Sequence, residues 1–391
     1  MEGKGVMRSL ELFSGCGGLA LGTARAGFDH DLLVEWNANA CATLEMNKAK
    51  GLEHARHWSI RQGDVRQMDW SAILRPIDMI AGGPPCQPFS IGGKHKGHDD
   101  ARDMWPEAIR AVREISPSGF LFENVRGLAR EAFSEYLAWI TASLEKPSEV
   151  RHKGESHLEH LTRLRAHNGA SEYQVIVLKI NAADFGTAQE RHRVVVAGIR
   201  QDLGVELLPP VATHSKERLL WDQWVSGEYW SRHGLKALGN EPTSEIDRRI
   251  VARLRKNGEP PESQPWQTVR DALAGLGDPT GIDGHVFQDG ARVYPGHTGS
   301  PLDKPAKALK AGGHGVPGGE NMMVKDDGSV RYFTIREAAR LQGLPDDWSF
   351  ATSWTESMRQ LGNAMPVQMA EGVARWMANM LITSTAAQKA A

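Results

Sequence analysis

The stretch "LELFSGCGGLALG", residues 10–22, decides the fold of this chain. It reads as a short apolar strand, a turn of closely spaced glycines, and a helix that continues through Ala26. Glycines let a backbone come close to a ligand, and here they lead into a helix N-terminus. Outward from this point, "DLLVEW" (31–36) is a second strand and "NACATLEMN" (39–47) has helix-forming composition. "IDMIAGG" (77–83) is a strand that stops at glycines, and "DMWPEAIRAVREI" (103–115) is helical, with Pro106 tolerable in its first turn. "GFLFENV" (119–125), "YQVIVLKIN" (173–181) and "RVVVAGIR" (193–200) complete the strands. Strands alternating with helices predict an α/β fold, with a mostly parallel sheet covered by helices on both faces.

The chain has 391 residues, more than most single cores hold, so a large domain and a smaller one are expected. Composition is that of a globular protein, at 40% hydrophobic and 24% charged. The formal net charge of -2 excludes a global basic field. It leaves room for a basic cleft on a near-neutral body, and the cleft is what meets phosphate. The three cysteines, Cys16, Cys41 and Cys86, are odd in number and fit no zinc spacing, so no metal and a reducing, cytoplasmic setting are expected. No stretch is long and apolar enough to span a bilayer. The N-terminus runs straight into a strand, which predicts no signal peptide.

Three segments follow from the change in rhythm. Residues 1–200 keep the alternation and are expected to form the larger domain, the one that would carry any catalytic and cofactor-binding site. Residues 201–330 lose the alternation, gain Trp, Pro, Gly and His, and form a second, smaller, irregular domain. Residues 331–391 return to the first domain through the helical "TIREAARLQG" and "PVQMAEGVARWMANML". Within the first domain, 144–172 reads as an insertion. Its close histidines, His157, His160 and His167, raise the question of metal, but the composition favours a solvated charged helix. Trp221, Trp224, Trp230 and Trp266 read as small-domain core.

Gly15, Gly17 and Gly18 are packed more tightly than G-x-G-x-x-G allows. Glu35, ending the second strand, can accept from ribose hydroxyls, and Trp36 can flank an adenine. Asp64 of "GDV" can accept from an exocyclic amine. A nucleoside-bearing cofactor fits all three, and both S-adenosylmethionine and NAD remain open.

"GGPPCQPFS" (82–90) presents Cys86 on a Pro-framed loop at a strand's C-terminal end, where open α/β sheets bind ligands. Such a loop is poor core, and its thiol is usable once its pKa is lowered. Glu123 ends the next apolar strand, where a carboxylate has no packing role, and pairs naturally with that thiol in acid–base work. In "QERHRV", Gln189, Arg191 and Arg193 alternate, which on an extended segment places all three on one face.

Together these stretches resemble the cytosine-5 DNA methyltransferases of bacterial restriction–modification type. The matching strings are "LELFSGCGGL", "VEWN", "GDV", "GGPPCQPFSIGGKHKGHDDAR", "FENVRGL", "NAADFGTAQERHRV", "YFTIREAARLQGLPD" and "QLGNAMPVQMAEGVA", in the family's order. The resemblance implies a Rossmann-like methyltransferase sheet. It implies S-adenosyl-L-methionine at Phe13, Gly15, Cys16, Gly17, Leu19, Glu35, Trp36, Asp64, Val65, Pro85, Asn363 and Ala364. It implies that Cys86 adds to C6 of a flipped cytosine, that Glu123 hydrogen-bonds N3 and the exocyclic amine, and that Arg193 and Arg191 hold O2. Contacts to duplex DNA are expected from Gln87, Ser90, Gly92, Lys94, Lys96, Arg102 and Gln189, with target recognition in 201–330. A monomer is expected, and a cognate restriction endonuclease acting on the same site. The sequence departs from the family pattern at Ala188, often Pro, and at Trp105, often a smaller apolar residue. A tRNA methyltransferase, a non-catalytic DNA-binding protein and an NAD-dependent oxidoreductase are the competing readings.

Overall fold

The computed structural model describes residues 6–85, 103–237, 239–281, 283–293, 298–312 and 321–390, with side chains as far as Ser384. The chain divides into two units. The first is Met1–Ile180, His192–Pro210 and Asp347–Ala391, and the second is Asn181–Arg191 and Val211–Asp346. These boundaries differ from those read in the sequence. Residues 181–191 and 331–346 belong to the second unit, and 201–210 to the first. Hydrophobic periodicity marks elements, whereas unit membership follows from which elements they pack against.

The first unit holds β1 (Met7–Leu12), α1 (Gly18–Arg25), β2 (Phe28–Glu35), α2 (Ala38–Ala49), β3 (Ile60–Gln62), β4 (Met79–Gly82), α3 (Trp105–Ile115), β5 (Gly119–Val125), α4 (Ser134–Glu145), α5 (His157–Ala166) and β6 (Tyr173–Asn181). After β7 (Gln189–Glu190) of the second unit comes β8 (His192–Arg200). Among the described residues the sheet order is β3-β2-β1-β4-β5-β8-β6. Pairings β2/β3, β1/β2, β1/β4 and β4/β5 are parallel, while β5/β8 is antiparallel. The predicted α/β class and mostly parallel sheet are therefore present. The three-residue β3 was too short to show in the sequence pattern.

Alternation along β1 assigns the two faces. Leu10 and Leu12 enter a core with Phe120, Phe122, Trp105 and Trp139, drawn from β5, α3 and α4. Burying each such side chain contributes about 1.5–3 kcal/mol. Trp105 is fully buried edge-on to Phe122. On the opposite face Gly119 of β5 lies against Met377, which belongs to α12 (Val367–Ala390). Helix α12 packs closely on α1, because Gly22 brings its backbone within reach of Ala370 and the Val367 carbonyl.

The 144–172 segment is not a fully solvated helix. Helix α5 packs on α4 and buries His157, His160, Leu161 and Leu164. Trp139 donates its indole N–H to His160 Nδ1 at 3.1 Å, and His160 Nε2 donates to the Glu149 carbonyl at 2.8 Å. His157 stands edge-on to Trp139 with ring centroids 4.2 Å apart. Histidine here is core material, and no metal-ligand cluster is present among the described residues.

The second unit contains β9 (His214–Ser215), α6 (Lys216–Trp224), α7 (Glu228–Arg232), α8 (Glu245–Asn257), β10 (Gln264–Pro265), α9 (Val269–Leu273), short strands β11 (Ser300–Pro301), β12 (Ala306–Lys307), β13 (Met322–Val324) and β14 (Val330–Tyr332), and α10 (Ile335–Leu341). It is more helical than its composition indicated. Trp230 and Trp266 are buried in one cluster, and Trp221 and Trp224 pack at the edge of another, as expected for core tryptophans. Back in the first unit, α11 (Trp354–Asn363) precedes α12. No helix among the described residues is long and apolar enough to cross a membrane.

Candidate active site

Parallel register brings the C-terminal ends of four strands to one sheet edge. Leu12 of β1 lies opposite Val34 of β2 and Gly82 of β4, and Gly82 lies opposite Phe122 of β5. The residues that follow, Phe13, Glu35, Gly83 and Glu123, therefore emerge side by side. Antiparallel β8 starts at this same edge, with Arg193 opposite Val125 and Val195 opposite Glu123. Arg193 is thus a diagonal neighbour of Glu123 on one face, within reach of a long side chain. The two form an ion pair between Arg193 Nε and Glu123 Oε1, each side chain 12% exposed, although the N–H is not aligned on the oxygen.

Residues 83–85, which lead toward Cys86, leave from beside this pair. A Cβ on Gly83 would sit 3.3 Å from Glu123 Oε2. Asn124 Nδ2 donates to the Pro84 carbonyl at 3.0 Å. Pro85 is exposed. Cys86 itself, with Gln87, Ser90, Gly92, Lys94, Lys96 and Arg102, lies outside the described residues. Asn124 was not singled out from the sequence, although a buried polar residue after Glu123 in an otherwise apolar strand was a usable signal.

The glycine turn and β2 build the second half of the edge. Phe13 and Gly15 have φ of 59° and 54°, and Gly17 has 91°. Glu35 accepts from the Gly15 N–H at 2.7 Å through Oε2 and from the Asn37 N–H at 2.7 Å through Oε1. Each carboxylate oxygen has a further lone pair for a ribose hydroxyl. A Cβ on Gly15 would meet nothing within 4 Å. Trp36 is 65% exposed. The Arg66 guanidinium lies 5.9 Å from its ring centroid, and Arg66 also pairs with Asp64 at 2.6 Å. Arg66 holds the Asp64 carboxyl below its ordinary range. Sequence reading missed Arg66, whose position two residues after Asp64 was the available signal. Open space at Gly15, an uncovered indole and two acidic acceptors fit a nucleoside-bearing methyl donor.

The C-terminal segment closes this half. Ala364 is buried with its Cβ 3.4 Å from the position a Gly18 side chain would take, and the Met365 carbonyl lies 2.3 Å from it. Asn47 and Ser349 exchange hydrogen bonds of 2.8 and 2.9 Å, tying α2 to the same segment. Asn363, at the end of α11, is exposed. Leu19 and Val65 are buried. The Cys16 thiol is buried, and burial pushes its pKa up to about 12. Burial likewise pushes Cys41 up to about 11.

Two expectations need correction. Gln189 is fully buried, donating to the Leu341 carbonyl at 3.1 Å and accepting from the Leu309 N–H at 3.0 Å. It clips the second unit together rather than facing a groove. Arg191 is also buried, and its Nη1 donates to the Leu309 carbonyl at 2.8 Å. Gln189 and Arg191 both bond the Leu309 backbone and belong to the second unit, whereas Arg193 belongs to the first. The strand is interrupted at Arg191, between β7 and β8.

Comparison with known proteins agrees with this geometry. The chain matches the family of C-5 cytosine-specific DNA methylases over residues 7–147 and 150–379, which includes nearly all of the 144–172 segment. It is 30% identical over 375 residues to the type II methyltransferase M.NgoMIV of Neisseria gonorrhoeae, covering 94% of this chain and 96% of that protein. It is 28% identical to the type II methyltransferase M.Eco47II of Escherichia coli, covering 95% and 79%. Its fold resembles that of the Dnmt2 methyltransferase of S. pombe, with a TM-score of 0.55 at 17% identity over 96% of this chain and 99% of that one.

Proposed function

The chain belongs to the C-5 cytosine-specific DNA methylase family, and from that premise we propose how its own residues carry out cytosine-5 methylation of DNA. The observation that carries the reading is the Glu123–Arg193 pair beside Gly83, three residues before Cys86. C5 of cytosine is a poor nucleophile, so the ring must first be activated. The Cys86 thiolate adds to C6, and the displaced electron density moves toward C5 and N3. Glu123 hydrogen-bonds N3 and the exocyclic amine, steadying the adduct, while Arg193 fixes the carboxyl group's orientation and reaches O2. S-adenosyl-L-methionine, when bound, supplies the electrophilic methyl group that the activated C5 takes. Loss of the C5 proton and expulsion of the thiolate then restore the ring, so one hard step becomes several easier ones. Glu35, Asp64, Trp36 and the glycine turn hold the donor at the neighbouring strand ends.

The target carbon is inside a duplex, so the base is extruded at a cost of about a few kcal/mol. Gln87, Ser90, Gly92, Lys94, Lys96 and Arg102 meet the DNA, and the second unit reads the sequence. The protein works as a cytoplasmic monomer, protecting DNA from a cognate restriction endonuclease that acts on the same site. Duplex DNA containing 5-fluorocytosine tests the chemistry, because its C5 has no proton to lose. With the methyl donor present, the wild-type protein should form a denaturation-resistant adduct and the Cys86→Ser variant none. An adduct on the variant, or transfer of labelled methyl to tRNA but not to duplex DNA, would refute the proposal.

A further inference from the structure

We propose that α8 of the second unit is a phosphate-docking helix that grips the DNA backbone. The proposal rests on the DNA-methylating function above. Helix α8 buries Asp247, Val251 and Leu254 on one face. At 100° per residue the opposite face carries Arg249, Ala252, Arg253 and Lys256, with Arg248 on its flank, and all five are exposed. The whole chain has a net charge of -2. This helix has five Arg or Lys, and of its two acids Asp247 is buried against Lys216 at 2.6 Å. Only Glu245 faces outward, paired with Arg249.

The cations are not equally committed. Arg255 is spent inside the unit, donating to the Trp224 and Asn240 carbonyls at 3.0 and 3.1 Å. Arg249 is 77% exposed, and Arg253 is 60% exposed with its nearest carboxylate, Glu217, at 3.5 Å. Among the described residues Arg248 and Lys256 have no ion-pair partner. Packing does not explain a stripe of four solvated cations on a helix whose other face already anchors it. Its length does fit a polyanion. Arg248 to Lys256 spans roughly 12 Å at 1.5 Å per residue, matching about three to four phosphates of one strand at about 3.4 Å of axis each. An amphipathic helix of this kind contributes affinity and orientation without reading bases.

The test is the salt dependence of binding to a duplex of arbitrary sequence, which needs no knowledge of the recognition site. Affinity of the full chain is measured by fluorescence anisotropy across a KCl series, for wild type and for the R248Q/R253Q/K256Q variant. Each phosphate contact adds about 0.9 to the slope of log K against log salt. The variant should therefore lose about 2–3 from that slope and bind at least about 10-fold more weakly at low salt. An exposed control, Arg75→Gln in the first unit, should leave the slope unchanged. Retention of the wild-type slope by a variant with wild-type melting would overturn the inference. Failure of the wild-type protein to methylate or bind any duplex would instead sink the functional reading itself. A single substitution, Lys256→Gln, keeps the question answerable if the triple variant misfolds.

Discussion

Replacing Gly18 by alanine should loosen the seam between the glycine turn and the C-terminal segment, and the structure sets the size of the effect. The new Cβ would lie 2.3 Å from the Met365 carbonyl, whereas ordinary contact begins near 3.4 Å. Backbone, not a flexible side chain, must therefore retreat by about 1 Å, an overpacking that costs about 1–3 kcal/mol. For a unit of this size each kcal/mol moves Tm by about 2–4 °C, so Tm should fall by between about 2 and 12 °C. The same displacement reaches Ala364 at the sheet edge, and about 1 Å of misplacement can cost about 100-fold in catalysis. Gly15→Ala is the instructive partner. Its Cβ meets no atom within 4 Å, so overpacking is absent, but its φ of 54° adds strain of about 1–2 kcal/mol. The added methyl enters the open space assigned to the methyl donor, so this variant should lose cofactor affinity out of proportion to its smaller loss of stability. Differential scanning fluorimetry and calorimetric titration with S-adenosyl-L-homocysteine measure both quantities. If Gly18→Ala melts with the wild-type protein, the seam is not as tight as drawn. If Gly15→Ala binds the nucleoside unchanged, the cofactor does not border the glycine turn.

Two further outcomes follow from named groups. His30 is buried, and burial lowers its pKa from the ordinary 6.5 to about 4. Between those values the unfolded chain binds a proton that the folded one excludes, so stability falls with pH by about 1.4 kcal/mol per unit, to a total of about 3 kcal/mol. Urea unfolding at neutral pH and near pH 5 measures this, and His30→Gln should flatten the dependence. An unchanged pH profile in that variant would reassign the acid sensitivity. Gln189→Ala should strand the buried Leu309 N–H and Leu341 carbonyl, costing the second unit about 2–6 kcal/mol at about 1–3 kcal/mol per orphaned group. Hydrogen exchange should report faster opening of 304–311 and α10 while cofactor binding in the first unit persists. A variant that loses DNA binding with unaltered exchange would return Gln189 to the DNA interface.

The division between what sequence and packing each contributed runs along the range of the forces involved. "LELFSGCGGLALG" declares a strand, a turn and a helix because φ preferences and apolar periodicity act over a few residues. The same local rules located β5 at Gly119–Val125 and β8 within one residue, and they left Glu123 conspicuous as an acid at the end of an apolar strand. Nothing local gave the direction of β8. Only its antiparallel pairing with β5 puts Arg193 on Glu123, and only the break at Arg191 sends that guanidinium and Gln189 into the second unit. Helix α5 was legible as a helix, but a histidine's spacing cannot say whether Trp139 waits opposite it. The basic stripe of α8 likewise became visible only once Val251 and Leu254 fixed which side was inward. By itself the sequence determined the elements and their chemistry. The tertiary structure decided which side chains face one another, because burial and pairing depend on partners brought from tens or hundreds of residues away.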